Sequence, residues 1–187
     1  MDADQKLVDA ALAGDLSAFE RLVERHRDVV FRVAARIVGR EEAEDVSQDA
    51  FLRAFNRLSA FRGDAPFRVW LLTITRNAAL NHQARRRAEP VESVERLMGA
   101  PVGAEGRMPA DQLEGRERRE RLEGKVRLLS PSHRVVLVLR DIEGLSYEEI
   151  ADVTEAPLGS VKGRLHRARE ELIEILRRNT YDWELPA

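Results

Sequence analysis

Cysteine is absent from this 187-residue chain, which excludes disulfides, thiol catalysis and cysteine-ligated zinc and fits a reducing cytoplasm. Long apolar runs are missing too. Nothing approaches the roughly 20 residues that cross a bilayer, so direct membrane insertion is not expected, and the acidic start, Met1 to Asp4, is not a signal peptide. Aromatics are only 5% of residues against 34% charged groups, a balance that suits a helical protein with many solvated faces. Neither charge dominates: 31 Lys and Arg against 33 Asp and Glu leave a net −2, which alone would argue against nucleic-acid binding. The distribution reverses that. Residues 61–90 carry 6 basic and 2 acidic groups, and Leu158 to Arg169 holds four basic residues and no acid, while acids outnumber bases in the first 60 residues. Two basic patches on an otherwise acidic chain point to two nucleic-acid contacts, with other surfaces left for proteins.

The length allows one or two small domains, and the periodicity is helical throughout. Leu7, Val8, Ala11 and Leu12 place a first helix at Gln5 to Ala13. A second opens at a Ser17/Glu20 capping box, buries Phe19, Leu22, Val23, Val30, Val33 and Ile37, and stops at Gly39. His26, among charged neighbours and without a metal partner at helical spacing, is expected to be solvated. The third helix, Glu41 to Leu58, turns Ala43, Val46, Ala50, Phe51, Ala54, Phe55 and Leu58 inward. Its other half presents Asp45, Gln48, Asp49, Arg53 and Asn56 around Leu52, the pattern of a docking face for a basic partner helix. The same carboxylates make poor acid–base or metal groups, because no histidine converges on them and an exposed helix face does not raise a pKa.

A short loop, Phe61 to Ala65, then leads through Pro66 into a helix from Phe67 to about Arg87. Phe67, Trp70, Leu71, Ile74 and Ala78 form its core face, yet Val69, Leu72 and Leu80 make the opposite side apolar too, and it ends in Arg85, Arg86 and Arg87. Such a helix fits between protein on one side and unstacked bases with their phosphates on the other; an ordinary core role for Phe61, Phe67 and Trp70 is the competing reading. Ala88 to Asp111 loses periodicity and collects proline and glycine, as linkers do. A charged helix from about Gln112 to Leu129 and another from Pro131 to Ile142 follow.

From Ser146 to Leu176 the chain reads as two helices and a tight turn. Ser146 and Glu149 form a capping box, Pro157 to Gly159 supply the break, and Ser160 is the expected N-cap of the second helix. Val161, Leu165, Ala168, Leu172, Ile175 and Leu176 share its core arc. Lys162, Gly163, His166 and Arg167 lie opposite, with Arg164 and Arg169 on the flanks, which is a helix suited to a DNA major groove. An ordinary helical hairpin with a solvated charged face is the bland alternative.

Three strings, AEDVSQDAFLRAF (Ala43 to Phe55), FRGDAPFRVWLLTITRNAALNH (Phe61 to His82) and LSPSHRVVLVLRDIEGLSYEEIADVTEAPLGSVKGRLHRAREEL (Leu129 to Leu172), occur in an order that resembles the bacterial extracytoplasmic-function sigma factors. The resemblance implies an all-α fold: residues 1–90 as a region 2-like domain, 91–110 as a flexible linker threading toward the RNA exit path, and 111–187 as a region 4-like helix-turn-helix domain. It implies that Asp45, Gln48, Asp49, Leu52, Arg53 and Asn56 dock on the β′ clamp helices of core RNA polymerase. By the same resemblance Phe61, Arg62, Gly63, Asp64, Arg68, Arg76, Asn77, Arg85 and Arg86 serve the promoter −10 element, and Ser160, Lys162, Gly163, Arg164, His166, Arg167 and Arg169 the −35 element. The C-terminal domain would also meet the β flap. An anti-sigma partner, in many cases membrane-anchored, would restrain the protein; no metal or cofactor and no catalysis are expected.

The chain departs from the family's usual pattern at Ser47, at Leu72 and Thr73, and at Gly163 in the groove-facing helix. A mid-helix glycine costs about 1 kcal/mol of helix propensity, tolerable if backbone must approach DNA there. Two other classes stay open on the residues alone. A stand-alone helix-turn-helix regulator would dimerise or sense a ligand through its N-terminal domain; a metal-dependent nuclease would need acids clustered in a cleft, and none is legible.

Overall fold

The computed structural model describes residues 3–88 and 121–178. The predicted linker, the start of the charged helix and the tail after Arg178 lie outside the described residues. Within them every regular element is helical: α1 (Ala3–Leu12), α2 (Leu16–Val38), α3 (Arg40–Asn56), α4 (Phe67–Ala88), α5 (121–128), α6 (Pro131–Leu137), α7 (Tyr147–Thr154) and α8 (Leu158–Arg178). A 3-10 turn, Leu58–Ala60, follows α3, and a π-turn, Val138–Ile142, prolongs α6.

α2, α3 and α4 pack on one another and α1 lies along α2. Small residues make the close approach possible: Ala34, Ala43, Ala50, Ala54 and Ala79 are all fully buried, among Leu22, Val30, Ile37, Leu71 and Leu72. The N-cap of α2 is not the predicted Ser17. Asp15 takes that place, its carboxylate accepting from the Ser17 N–H at 3.0 Å and the Ser17 hydroxyl at 2.7 Å, so the N-cap lies two residues earlier. The Ser17 hydroxyl, aided by the free N–H groups of the helix start, holds the Asp15 carboxyl below its ordinary pKa. Between α2 and α3 only Gly39 intervenes, at φ +104, a conformation side chains resist; this lets two long helices reverse without a loop.

The C-terminal half builds on α6 and α8, with α7 across them. The Ser146/Glu149 capping box is present as predicted: the Glu149 N–H donates to Ser146 Oγ at 3.0 Å and the Ser146 N–H to Glu149 Oε2 at 2.7 Å. The turn before α8 is made by Glu155, left-handed at φ +51. Ser160 is not an N-cap, because α8 begins at Leu158 and the Ser160 N–H donates back to the Pro157 carbonyl at 2.8 Å. Val161, Leu165 and Ala168 are buried as expected; Leu172, Ile175 and Leu176 are half-buried.

The two halves are packed together into a common core. Arg134, 6% exposed at the start of the apolar run Val135 to Leu139, donates to the Ile37 carbonyl at 2.7 Å and to the Leu129 and Arg127 carbonyls. Ile37 sits in the last turn of α2, where carbonyls have no intrahelical partner, so a cation from the other half caps that helix. Burial lowers the Arg134 pKa. Glu143, just after the π-turn, has a side chain only 3% exposed. Arg32 of α2 grips it bidentately at 3.1 and 2.9 Å, and Arg68 of α4 donates to its carbonyl at 3.1 Å. The paired Glu143 carboxylate raises the Arg32 pKa.

Candidate nucleic-acid and partner interface

Four sequence expectations change at the first basic patch. α4 is indeed apolar nearly all round, but Val69 and Leu72 are buried rather than offered to bases, since α4 packs on α2 and α3 and also against α7. Phe67 is buried, and Phe61 and Trp70 are half-buried around it, with ring centroids 5.3 to 5.6 Å apart in edge-on and tilted arrangements. The core reading of these rings therefore holds, and only the loop tip, Arg62, Gly63 and Asp64, is open. His26 is not solvated: it is 6% exposed, with Nε2 2.9 Å from an Asp4 carboxylate oxygen. Phe55, expected in the core, is 44% exposed and meets Phe19 edge-on at 5.0 Å.

The cations of this patch are unequally available. Arg85 and Arg86 are exposed on the last turn of α4, Arg86 donating to Glu42 at 2.5 Å beside a His82–Glu42 contact of 2.8 Å. Arg68 is engaged with Glu143. Arg76 is half-buried; desolvation depresses its pKa, Glu155 favours its charge, Arg164 opposes it, and Nη1 donates to Asn77 at 2.9 Å.

On α3 the residues expected to form a docking face lie on one solvent-facing side. Asp45, Gln48 and Asn56 are exposed, Leu52 is 64% exposed, and Asp49 and Arg53 pair at 2.8 Å on the same side. An exposed leucine beside an exposed phenylalanine, ringed by polar groups, has the anatomy of an interface core with its rim.

On α8, Lys162, His166 and Arg167 stand in solvent, and Ser160 is exposed in the first turn. Gly163 and Arg164 are half-buried, Arg164 on the side facing Arg76 of α4. Arg169 is exposed but bonded bidentately to Asp141 at 3.1 and 2.6 Å, which raises its pKa. Tyr147, whose role was not legible in the sequence, lies beneath two cations: Arg140 is 4.6 Å and Lys162 5.7 Å from its ring centroid. Glu143 and Arg134 were missed as well. The one available signal was an arginine directly before the apolar run Val135 to Leu139, since a charge that cannot escape burial must find partners. Among the described residues no three His, Asp or Glu side chains are grouped to hold a metal, and no helix is long and apolar enough to cross a membrane.

Two family models match the chain: sigma-70 region 2 over residues 22–89 and sigma-70 region 4 over residues 119–172. The RNA polymerase sigma-H factor of Pseudomonas aeruginosa is 37% identical over 183 residues, covering 94% of each chain. The ECF RNA polymerase sigma-E factor of Escherichia coli is 34% identical over 175 residues, 90% of this chain and 92% of its own. Among solved structures, CnrH in complex with the cytosolic domain of CnrY is 31% identical, with a TM-score of 0.69 over 95% of this chain and 99% of that one. The sigma factor RpoE from Bartonella quintana, solved with the anti-sigma factor NepR, shares the fold at 23% identity, TM-score 0.63, 88% and 98% coverage.

Proposed function

Because the chain belongs to the sigma-70 family, in its extracytoplasmic-function group, we propose that its two halves divide promoter reading between them and that the free protein holds them closed. A sigma factor is a transcription-initiation subunit that directs core RNA polymerase to promoters. For this chain, residues 1–90 would dock on the polymerase and engage the −10 element, 91–110 would link, and 111–187 would read the −35 element and meet the β flap. The face of Asp45, Gln48, Asp49, Leu52, Arg53 and Asn56 is assigned to the β′ clamp helices, whose binding needs an apolar anchor within a polar rim. Lys162, His166 and Arg167 are assigned to base edges in the major groove, with Arg164 and Arg169 on phosphates. The loop tip at Arg62, Gly63 and Asp64 is assigned to capture of an unstacked base, with Arg85 and Arg86 on the backbone.

The observation that carries the mechanism is the closure. Arg68 is spent on Glu143 and Arg76 lies under the other half, so −10 engagement requires the C-terminal half to move off α4. Polymerase, by holding the halves apart on its own surface, would supply the differential binding that shifts this equilibrium. An anti-sigma partner acting in the cytoplasm would favour the closed form or cover the α3 face; the solution of the related CnrH with a partner's cytosolic domain supports that reading.

Polymerase pull-down with run-off transcription is the test. Asp49→Lys and Leu52→Glu should abolish both core binding and promoter-dependent transcripts while leaving the helical fold intact. Unchanged transcription by the double variant would overturn the docking assignment. Tight, specific duplex binding without polymerase would instead favour a stand-alone regulator.

A further inference from the structure

α1 precedes the residues matched by the region 2 model, yet it touches the loop assigned above to base capture. Asp4 lies 2.5 Å from Arg25 and 2.9 Å from His26 on α2, and is itself 8% exposed. Leu7 and Val8 are buried behind it. One residue on, Gln5 donates from Nε2 to Asp9 at 2.9 Å, which leaves Oε1 turned toward the loop: a Cβ built on Gly63, at φ +75, would stand 3.2 Å from that oxygen. α1 also packs on the 3-10 turn Leu58–Ala60 that leads into the loop. From the other side, the His26 ring lies 5.5 Å from Phe67, and Phe67 lies 5.6 Å edge-on to Phe61, the first loop residue.

We propose that α1 positions the 61–66 loop: Asp4 locks the helix to α2 through Arg25 and His26, Gln5 stands against Gly63, and His26 passes the same register through Phe67 to Phe61. The physical reason is that a loop of exposed, mostly small residues cannot hold a base-sized pocket open by itself. It needs a rigid wall on each side, and rings packed edge to face transmit a shift of one to the next. A buried carboxylate shared by an arginine and a histidine makes a strongly determined anchor, because either partner alone would leave a charge or a polar group unmatched. Asp4, Gln5 and His26 are thus positioning residues; none of them meets DNA.

This proposal rests on the base-capture reading, and the experiment separates the two. Full-length holoenzyme is assembled on a promoter carrying 2-aminopurine in the non-template −10 element, and the fluorescence rise on strand opening is followed. Asp4→Ala and His26→Leu should slow opening by about tenfold, the loss of one charge-assisted hydrogen bond, with core-polymerase affinity, −35 duplex binding and the helical content of the free protein at the assay temperature close to wild type. Asp4→Asn, which keeps the shape and can still accept from His26, should recover most of the rate. Wild-type opening in both loss variants would overturn the proposal, as would a loss that tracks reduced polymerase affinity or helical content. Arg62→Ala and Asp64→Ala, at the open loop tip, serve as the reference. If these leave opening unchanged, base capture itself fails and the positioning role falls with it; if they abolish opening while Asp4→Ala and His26→Leu do not, only the positioning role fails.

Discussion

The two basic surfaces of this chain are presented in opposite ways. On α8 the groove-facing residues Lys162, His166 and Arg167 stand in solvent, whereas on α4 Arg68 is held by Glu143 and Arg76 is desolvated between Glu155 and Arg164. Duplex reading by a preformed helix needs no prior event, because the major groove is accessible in closed promoter DNA. Capturing an unstacked base requires strand separation, and a permanently exposed apolar and cationic surface would bind single strands indiscriminately. The other half covers that surface in part: Arg68 and Arg76 are engaged or desolvated, while the loop tip Arg62 to Asp64 and Arg85 and Arg86 stay exposed.

The largest change should come from removing the acidic latch. Glu143→Ala deletes the carboxylate that accepts both Arg32 hydrogen bonds and lies 3.7 Å from Arg68, while the main-chain carbonyl that accepts from Arg68 stays; the lost charged hydrogen bonds are worth about 2 kcal/mol, or roughly 30-fold in the open-to-closed ratio. The absence of native cysteine makes this measurable: dyes on Ser59→Cys and Asp152→Cys, one in each half, should report a drop in transfer efficiency, with single-stranded −10 DNA binding rising in parallel. Unaltered transfer would mean that apolar packing alone closes the molecule.

Next in size is a contrast between the two surfaces. In the free protein at low salt, Lys162→Ala should weaken duplex binding about fivefold and reduce the salt slope by roughly 1, while Arg76→Ala should do nothing. In holoenzyme, Arg76→Ala should become the costlier of the pair for −10-containing fork DNA. Equal effects of both variants on the free protein would erase the distinction between covered and open.

A smaller effect tests the frame of the C-terminal half. Burial works against the Glu171 carboxylate's charge, but hydrogen bonds from His133 and the Ser130 N–H outweigh it, and its pKa lies below the ordinary value. A carboxyl with a lowered folded pKa stabilises fully above its unfolded pKa, about 4.3, and loses that contribution as pH falls through the folded one. Glu171→Gln should therefore lower Tm at pH 7 and match wild type near pH 3. Smallest is Gly163→Ala: a Cβ there meets nothing closer than the Arg167 guanidinium at 3.7 Å, so the helix should gain about 1 kcal/mol. If duplex affinity falls although Tm rises, backbone approach to DNA explains the glycine.

Much of this was legible before any coordinates. The helices, the Ser146/Glu149 capping box, the exposed Leu52 with its acidic surround and the bare cationic face of α8 follow from periodicity and local charge, which act over a few residues. The misses in burial involve partners distant in sequence. His26 looked solvated because its neighbours are charged, but Asp4 lies 22 positions away. Val69 and Leu72 suggested a platform for bases because no apolar partner was visible nearby; both are buried in a helix that packs on α2, α3 and α7. Ser17 and Ser160 were plausible caps by type, yet Asp15 and an earlier start at Leu158 displaced them, a matter of which residue the packing leaves at the helix edge.

The sequence by itself determined an all-α chain with two basic stretches, an exposed Leu52 in a polar surround and the family to which it belongs, because motif order and 3.6-residue periodicity survive without any knowledge of packing. Only the tertiary structure decided that the halves close on each other through Arg134 and Glu143, that α4 is covered in part while the groove-facing residues of α8 are not, and that α1 reaches the loop. Those outcomes depend on which buried charge meets which acceptor across a hundred residues, and no local pattern encodes that distance.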